Sequence, residues 1–273
     1  MRVALVQQQA GPDKSVNVRR GVAALDLAAR AGAKLVGFAE LAFERFHPHQ
    51  PARPGFERLA EPVPGPTTEA FSTAARRLGV VVVLNLYESD GGTCYDCSPV
   101  LDADGTLLGR TRMIHITEYD GFHEQGYYAP GDTGAPVYRT AAGSIGVAIC
   151  YDRHYPEYMR ALATGGADLV VVPQAGTVGE WPDGLYEAEM RVAAFQNGYF
   201  VALCNRVRAE EHLTFAGESF VCAPDGTVIS RAGRDEEILY ADVDLARCAD
   251  SPARRLFLRD RRPELYPAWL GGR

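Results

Sequence analysis

Lysine is almost missing from this chain. Lys14 and Lys34 are the only two in 273 residues, and arginine carries the rest of the positive charge. The balance is acidic, with a formal net charge of −7 and a pI of about 5.4. No basic stripe exists to neutralise phosphates, so a nucleic-acid partner is not expected, and no polybasic segment suits an anionic lipid surface. No apolar run approaches the length of a membrane span, so no membrane partner is expected either. The opening Met1-Arg2-Val3-Ala4-Leu5-Val6 moves straight into a strand pattern, which predicts that no signal peptide precedes the fold. Linkers, repeats and low-complexity segments are lacking as well. A cysteine framework is also lacking. Cys94, Cys97, Cys150, Cys204, Cys222 and Cys248 are scattered, mostly in apolar runs, which points to free thiols in a reducing cytoplasm. Cys94-Tyr95-Asp96-Cys97 has no second pair for a zinc ribbon and opens no helix, as a redox motif would. His47-Pro48-His49 has no third ligand at useful spacing, so it reads as loop and no metal is expected.

What is present is an α/β pattern with enough apolar residues, 47%, for a sizeable core. Val3–Gln8 reads as a strand. Val18–Ala31 has helical spacing, with Asn17 as a candidate cap, and Lys34–Ala39 is a second strand. This β-helix-β unit predicts a parallel pair and puts Glu40 at the carboxyl end of a strand, where ligands meet α/β sheets. In isolation Glu40 also fits an exposed loop acid. Thr67–Leu78 reads as a helix with a threonine cap, Val80–Tyr87 as a β-branched strand, and Thr106–Ile116 as the strand returning after an Asp104-Gly105 turn. The loop 117–132 gathers Glu118, Asp120, His123 and Glu124, which is common site material.

The stretch Ile145 to Glu157 is the most informative. An apolar strand ends at Cys150 and a polar cluster, and Pro156 opens a helix. A thiol at such a turn would be held rigidly at a sheet edge, near free backbone N–H groups able to stabilise an oxyanion. Cys150 equally fits a small buried core residue, and this stretch alone leaves both open.

Three stretches taken together resemble the nitrilase (carbon–nitrogen hydrolase) superfamily: Phe38-Ala39-Glu40-Leu41, Gly109-Arg110-Thr111-Arg112-Met113-Ile114-His115-Ile116, and Cys150-Tyr151-Asp152-Arg153-His154-Tyr155-Pro156-Glu157. The last, with Asn205-Arg206-Val207 and Ser219-Phe220-Val221, is most similar to the N-carbamoyl amidohydrolase branch, which includes β-ureidopropionase and N-carbamoylputrescine amidase. The resemblance implies an α/β fold of the α-β-β-α sandwich type that forms a four-layer homodimer. It covers nearly the whole chain, from Val3 to about Tyr266, and implies one domain over residues 1–273, with 251–273 as a C-terminal arm. It implies a small-molecule substrate and no cofactor. It assigns Glu40 as general base, Cys150 as nucleophile, Glu124 as second glutamate and the Tyr151 backbone N–H as an oxyanion donor. Arg153, His154 and His123 become candidates for substrate contact.

One expected residue is absent. Where the family pattern reads Arg-Lys-x-His, this chain reads Arg112-Met113-Ile114-His115. General lysine depletion does not explain this, because arginine would be the natural replacement. Methionine carries no charge and donates no hydrogen bond. Losing one oxyanion donor costs on the order of a hundred- to a thousandfold in rate. Glu40 and Glu124 would face each other without a cation, and like charges raise carboxylate titration. The sequence therefore supports hydrolysis of an N-carbamoyl or amide C–N bond. It also leaves open altered chemistry (transfer, cyclisation, or a substrate supplying its own charge) and a non-catalytic binding role. The acids Glu118, Asp120, Glu124 and Glu180 suggest an amine-bearing substrate, or else a solvated rim.

Overall fold

The computed structural model of the protein describes residues 1–270. Its first half runs β1 (Arg2–Gln7), α1 (Lys14–Arg30), β2 (Ala33–Phe38), α2 (Pro66–Leu78), β3 (Val81–Val83), β4 (Leu86–Asp90), β5 (Thr93–Leu101) and β6 (Leu107–Arg112). A small hairpin, β7 (Glu118–Tyr119) and β8 (Phe122–His123), precedes β9 (Val137–Thr140), β10 (Gly143–Val147), α3 (Pro156–Thr164), β11 (Leu169–Gln174), α4 (Leu185–Asn197) and β12 (Phe200–Asn205). A second hairpin, β13 (Val207–Glu210) and β14 (Leu213–Ala216), leads to β15 (Phe220–Cys222), β16 (Val228–Arg231) and β17 (Glu237–Asp242).

These strands form two large sheets. One has the order β17-β1-β2-β3-β5-β4, with β6 also paired to β5; the other has the order β16-β15-β12-β11-β10-β9. Within them β1, β2 and β3 run parallel, as do β10, β11 and β12. Parallel neighbours need crossovers, which α1 and α2 supply in the first sheet and α3 and α4 in the second. The four layers, helix, sheet, sheet and helix, all lie within one chain. Side-chain alternation assigns the faces. Val170 and Val172 pack on Met159, Leu162 and Met190 of the outer helices, while Leu169 and Val171 join Leu5 and Leu35 between the sheets. At Gly37 of β2 an added Cβ would lie 3.1 Å from Leu5 of the same sheet and from Val171 of the facing one.

Several sequence expectations shift. The cap of α1 is Asp13, not Asn17; the Asp13 carboxylate accepts from the Ser15 and Val16 N–H groups. Asn17 is instead buried inside the first turns, bonding the Gly11 and Phe43 carbonyls. Helix α2 is capped by Gly65, whose N–H donates to the Thr68 hydroxyl at 2.6 Å, rather than by a threonine at the cap position. The run Val80–Tyr87 breaks at Asn85, because that side chain is used across the site. The strand expected through Ile116 stops at Arg112. Beyond it the Ile114 and His115 N–H groups donate to the Asp152 carboxylate at 3.2 and 3.0 Å, leaving no strand ladder to continue. The two small hairpins had no signal in the periodicity. In the C-terminal arm Arg254 bonds the Ala167 carbonyl and Asp168, and Tyr266–Leu270 is a short helix; 271–273 lie outside the described residues.

Candidate active site

Glu40 follows the carboxyl end of β2, and Cys150 follows that of β10. The fold brings them together between the sheets. Cys150 sits at φ +39° and Leu41, beside Glu40, at φ +45°. Both lie in a left-handed region unfavourable to residues with side chains, which costs of order 1–3 kcal/mol each. Such strain persists only where surrounding contacts impose it. For Leu41 these are Asn85 Oδ1, which accepts its N–H at 2.7 Å, and Arg206, which donates to its carbonyl.

The electrostatics around the thiol are those of a buried acid cluster, with Arg153 the nearest cation to the sulfur. Glu40 is fully buried, and neither carboxyl oxygen has a hydrogen-bond partner among the described residues. Burial, then the neighbouring Glu124, pushes its pKa up to about 8, while the nearby Cys150 thiol favours its anion. The thiol is close, though not in ordinary hydrogen-bond geometry. Burial and then Asp96 hold Glu124 well above the usual carboxylate range; burial and then Glu40 do the same for Asp96. Burial, then Glu40, pushes the Cys150 thiol up as well, opposed by Arg153 and by the Ala175 N–H. Glu124 Oε2 accepts weakly from the Thr117 N–H at 3.4 Å, and Asp96 Oδ1 accepts from Asn85 Nδ2 at 2.5 Å. The second oxygen of each is buried and unpartnered.

Met113 is fully buried in the same apolar cluster as Ile149 and Cys150. Its backbone is tied to both neighbours, its N–H donating to the Asp96 carbonyl and its carbonyl accepting from the Gly131 N–H. No nearby cation takes its place. Arg112 turns away into Glu88, Asp90 and Asp132, with its guanidinium 3.8 Å from the Tyr95 ring centre. His115 is bound to Asp152 at 2.7 Å and stacked on Tyr155. Arg153 comes nearest, its Nη1 donating to the Cys150 carbonyl at 2.8 Å and standing 4.0 Å from the sulfur. His154 is held by Glu189 at 2.6 Å, which leaves its buried Nε2 unpartnered. His123 was expected to contact substrate, but its imidazole bonds Glu118 at 2.7 Å on the β7–β8 hairpin, and the structure gives it no polar contact with the buried acids. The Tyr151 N–H stands in the first turn of a 3₁₀ segment, Cys150–His154, where an N–H has no partner within the turn.

Asp96, Asn85, Tyr128 and Arg206 were not singled out from the sequence as site residues. Asn85 left a signal, as the one amide in an otherwise β-branched run. Asp96 was hidden inside the C-x-x-C. Arg206 has 1% exposure, and fixes the Glu40 loop through its backbone. It donates to the Glu40 and Glu44 carbonyls at 2.8 and 3.0 Å and forks onto Glu210 at 2.6 and 2.8 Å. Arg206→Met would strand the buried Glu210 and free three carbonyls. Its urea midpoint should report a loss of about 3–5 kcal/mol, the cost of breaking a buried pair from one side. An unchanged midpoint would show that other contacts hold this loop.

Comparison with known proteins finds relatives across nearly the whole chain. The family model described as carbon-nitrogen hydrolase matches residues 2–253. An N-carbamoylputrescine amidase of Solanum lycopersicum is 35% identical over 98% of this chain and 94% of its own length. A crystal structure of a carbon-nitrogen hydrolase from Helicobacter pylori G27 superposes with a TM-score of 0.92 at 30% identity, covering 99% of this chain and 98% of that one. An amidase from Nesterenkonia sp. AN1, solved with acrylamide added to its active-site cysteine, gives a TM-score of 0.84 at 26% identity over 98% and 99% of the two chains.

Proposed function

The chain belongs to the carbon–nitrogen hydrolase family, and on that premise we propose that it hydrolyses a non-peptide C–N bond in a small N-carbamoyl or amide substrate through a covalent intermediate on Cys150. The observation that carries this reading is the meeting of a strained, buried thiol with the buried carboxyl of Glu40. Glu40 takes the thiol proton, the sulfur attacks the substrate carbon, and the same carboxyl returns the proton to the leaving nitrogen. Water then releases the product by the same route. The Tyr151 N–H faces the developing oxyanion, and Glu124 is the second carboxylate of the set. Arg153 and the free Nε2 of His154 are assigned to substrate contact, and His123 to the outer rim.

Acrylamide tests the nucleophile. Intact-mass and peptide mapping should place one adduct on Cys150, with ammonia release falling in proportion to labelling. Label on another cysteine, with turnover unchanged, would overturn the assignment. Met113 favours a second reading, in which the same pair performs transfer or cyclisation or the pocket only binds. That outcome would show as no ammonia from any amide, with nitrogen retained in the product.

The same reading makes residues 1–273 one domain acting as a homodimer in the cytoplasm. The unpaired thiols and the exposed Leu256, Phe257 and Trp269 of the arm support it. Light scattering of the purified protein would check the dimer.

A further inference from the structure

The unpaired groups around Cys150 share one demand. Among the described residues both oxygens of Glu40, Asp96 Oδ2 and Glu124 Oε1 are buried and lack a partner in good hydrogen-bond geometry, although a proton shared between the Glu40 and Asp96 carboxyls meets part of that demand. The Tyr128 hydroxyl, 4% exposed and equally unpartnered, sits in the field of Asp96, Glu40 and Glu124. Unmet buried acceptors are expensive, and carboxylates most of all. Met113 contributes no donor, and Arg112, His115, His123 and His154 are each committed to another acid. Among the described residues no group of three or more His, Cys, Asp or Glu could hold a metal ion. These oxygens match an organic cation with several N–H donors placed beside the sulfur.

We propose that the substrate supplies this cation at the reacting carbon itself: the site takes a small amidinium or guanidinium, whose charged N–H groups lie among Glu40, Asp96 and Glu124. The proposal rests on the reading of Cys150 as the nucleophile of a C–N hydrolase, and it names that reaction's substrate class. A planar cation with several N–H groups suits a set of carboxylate oxygens better than a neutral amide does.

The chemistry explains why a lysine is dispensable here. Attack on an amide places a negative charge on oxygen, which needs strong donors. Attack on an amidinium does not. Glu40 takes the thiol proton, and the thiolate adds to carbon while the C=N pair moves onto nitrogen. The resulting tetrahedral adduct is neutral. Glu40 then returns its proton to one amino group, that C–N bond breaks, and ammonia leaves behind a positively charged thioimidate. Water gives one proton to Glu40 as its oxygen adds to the carbon. The C–S bond breaks, the sulfur regains a proton from the new hydroxyl, and the product leaves as a neutral amide or urea. The proton left on Glu40 goes to ammonia. The balance is one amidinium and one water in, one amide and one ammonium out, with no oxidation or reduction.

Two matched pairs test this: acetamidine against acetamide, and 4-aminobutylguanidine against 4-aminobutylurea. Each pair differs only in an NH₂⁺ group for an oxygen. Ammonia release by the wild-type protein should favour the cationic member by roughly tenfold or more in kcat/KM, the size of one charged hydrogen bond. In Met113→Lys the preference should reverse. Calorimetry on Cys150→Ala should detect acetamidinium but not acetamide, with sodium chloride matched as an ionic-strength control. Equal or better wild-type turnover of the neutral members overturns the proposal. So does the absence of both turnover and binding of the cations. If Met113→Lys then hydrolyses the neutral members, the hydrolase reading survives alone. If it hydrolyses none and acrylamide spares Cys150, both readings fail.

Discussion

Met113→Lys is expected to raise kcat/KM for neutral amides by about a hundred- to a thousandfold, the worth of one oxyanion donor. Lysine and methionine have similar length and volume, so the buried site should accept the exchange with little repacking. The new ammonium would face acceptors that now have none: the Glu40 oxygens, Asp96 Oδ2 and Glu124 Oε1. Two effects follow from one charge. The developing oxyanion gains a donor, and Glu40 becomes easier to ionise. With Glu40 held up at about 8, the wild-type kcat/KM should climb as pH rises through that value, because the base works only when deprotonated. A cation within a few ångströms lowers a carboxylate by about one to three pH units, so the acid limb of Met113→Lys should move down by that amount. Rate profiles on acetamide between about pH 5 and pH 10 would show both changes. A rate gain without displacement of the limb would mean that the lysine contacts the oxyanion but not Glu40.

The β-helix-β order and the strand-to-helix turn at Cys150 were legible because they are local. Apolar alternation, Pro156 at the first helical position and the Gly198 stop after α4 each act within a few residues. The misjudged boundaries were set from a distance. Strand β6 ends where it does because Asp152, far along the chain, takes the N–H groups of Ile114 and His115. Asn17 looks like a cap in sequence, but Phe43 draws it inward. Periodicity carries no record of such partners.

The site divided the same way. Glu40, Cys150 and Glu124 were named from the motifs, and Met113 from the pattern the resemblance supplies; the structure buries all four. Asp96 could not be named this way, because its importance comes from register. On β5 it pairs with Tyr87, its carbonyl accepts the Met113 N–H, and its carboxylate accepts from Asn85, which in turn holds Leu41. The sequence therefore suggested a pair of acids facing each other where the structure has three. That third acid makes the pocket more demanding of a cation than the missing lysine alone would.

Glu40→Gln separates the two costs that this carboxyl carries. As the base for Cys150 it should be worth on the order of a hundred- to ten-thousandfold in turnover, so activity should fall by that factor. The fold should respond in the opposite direction at alkaline pH. Glu40 is buried without a hydrogen-bond partner, and its folded pKa of about 8 lies above the unfolded carboxylate value of roughly 4.3. Between those values the folded state holds a proton that the unfolded state has released. Stability is therefore fully present below the lower value and is lost as pH rises through the upper one. Glutamine keeps the shape and removes the charge. Thermal melts should show the wild type losing stability from mildly acidic to alkaline pH, with Glu40→Gln flatter and its advantage largest on the alkaline side. Asp96 and Glu124 still titrate in the variant, so part of the slope remains. A variant that is inactive yet no more stable than wild type at high pH would mean that the carboxylate finds a partner in solution, as a captured cation would provide. Repeating the melts with acetamidinium then decides between the two: the wild type should gain stability from it and Glu40→Gln should gain less, because only the carboxylate pairs with the ligand's charge.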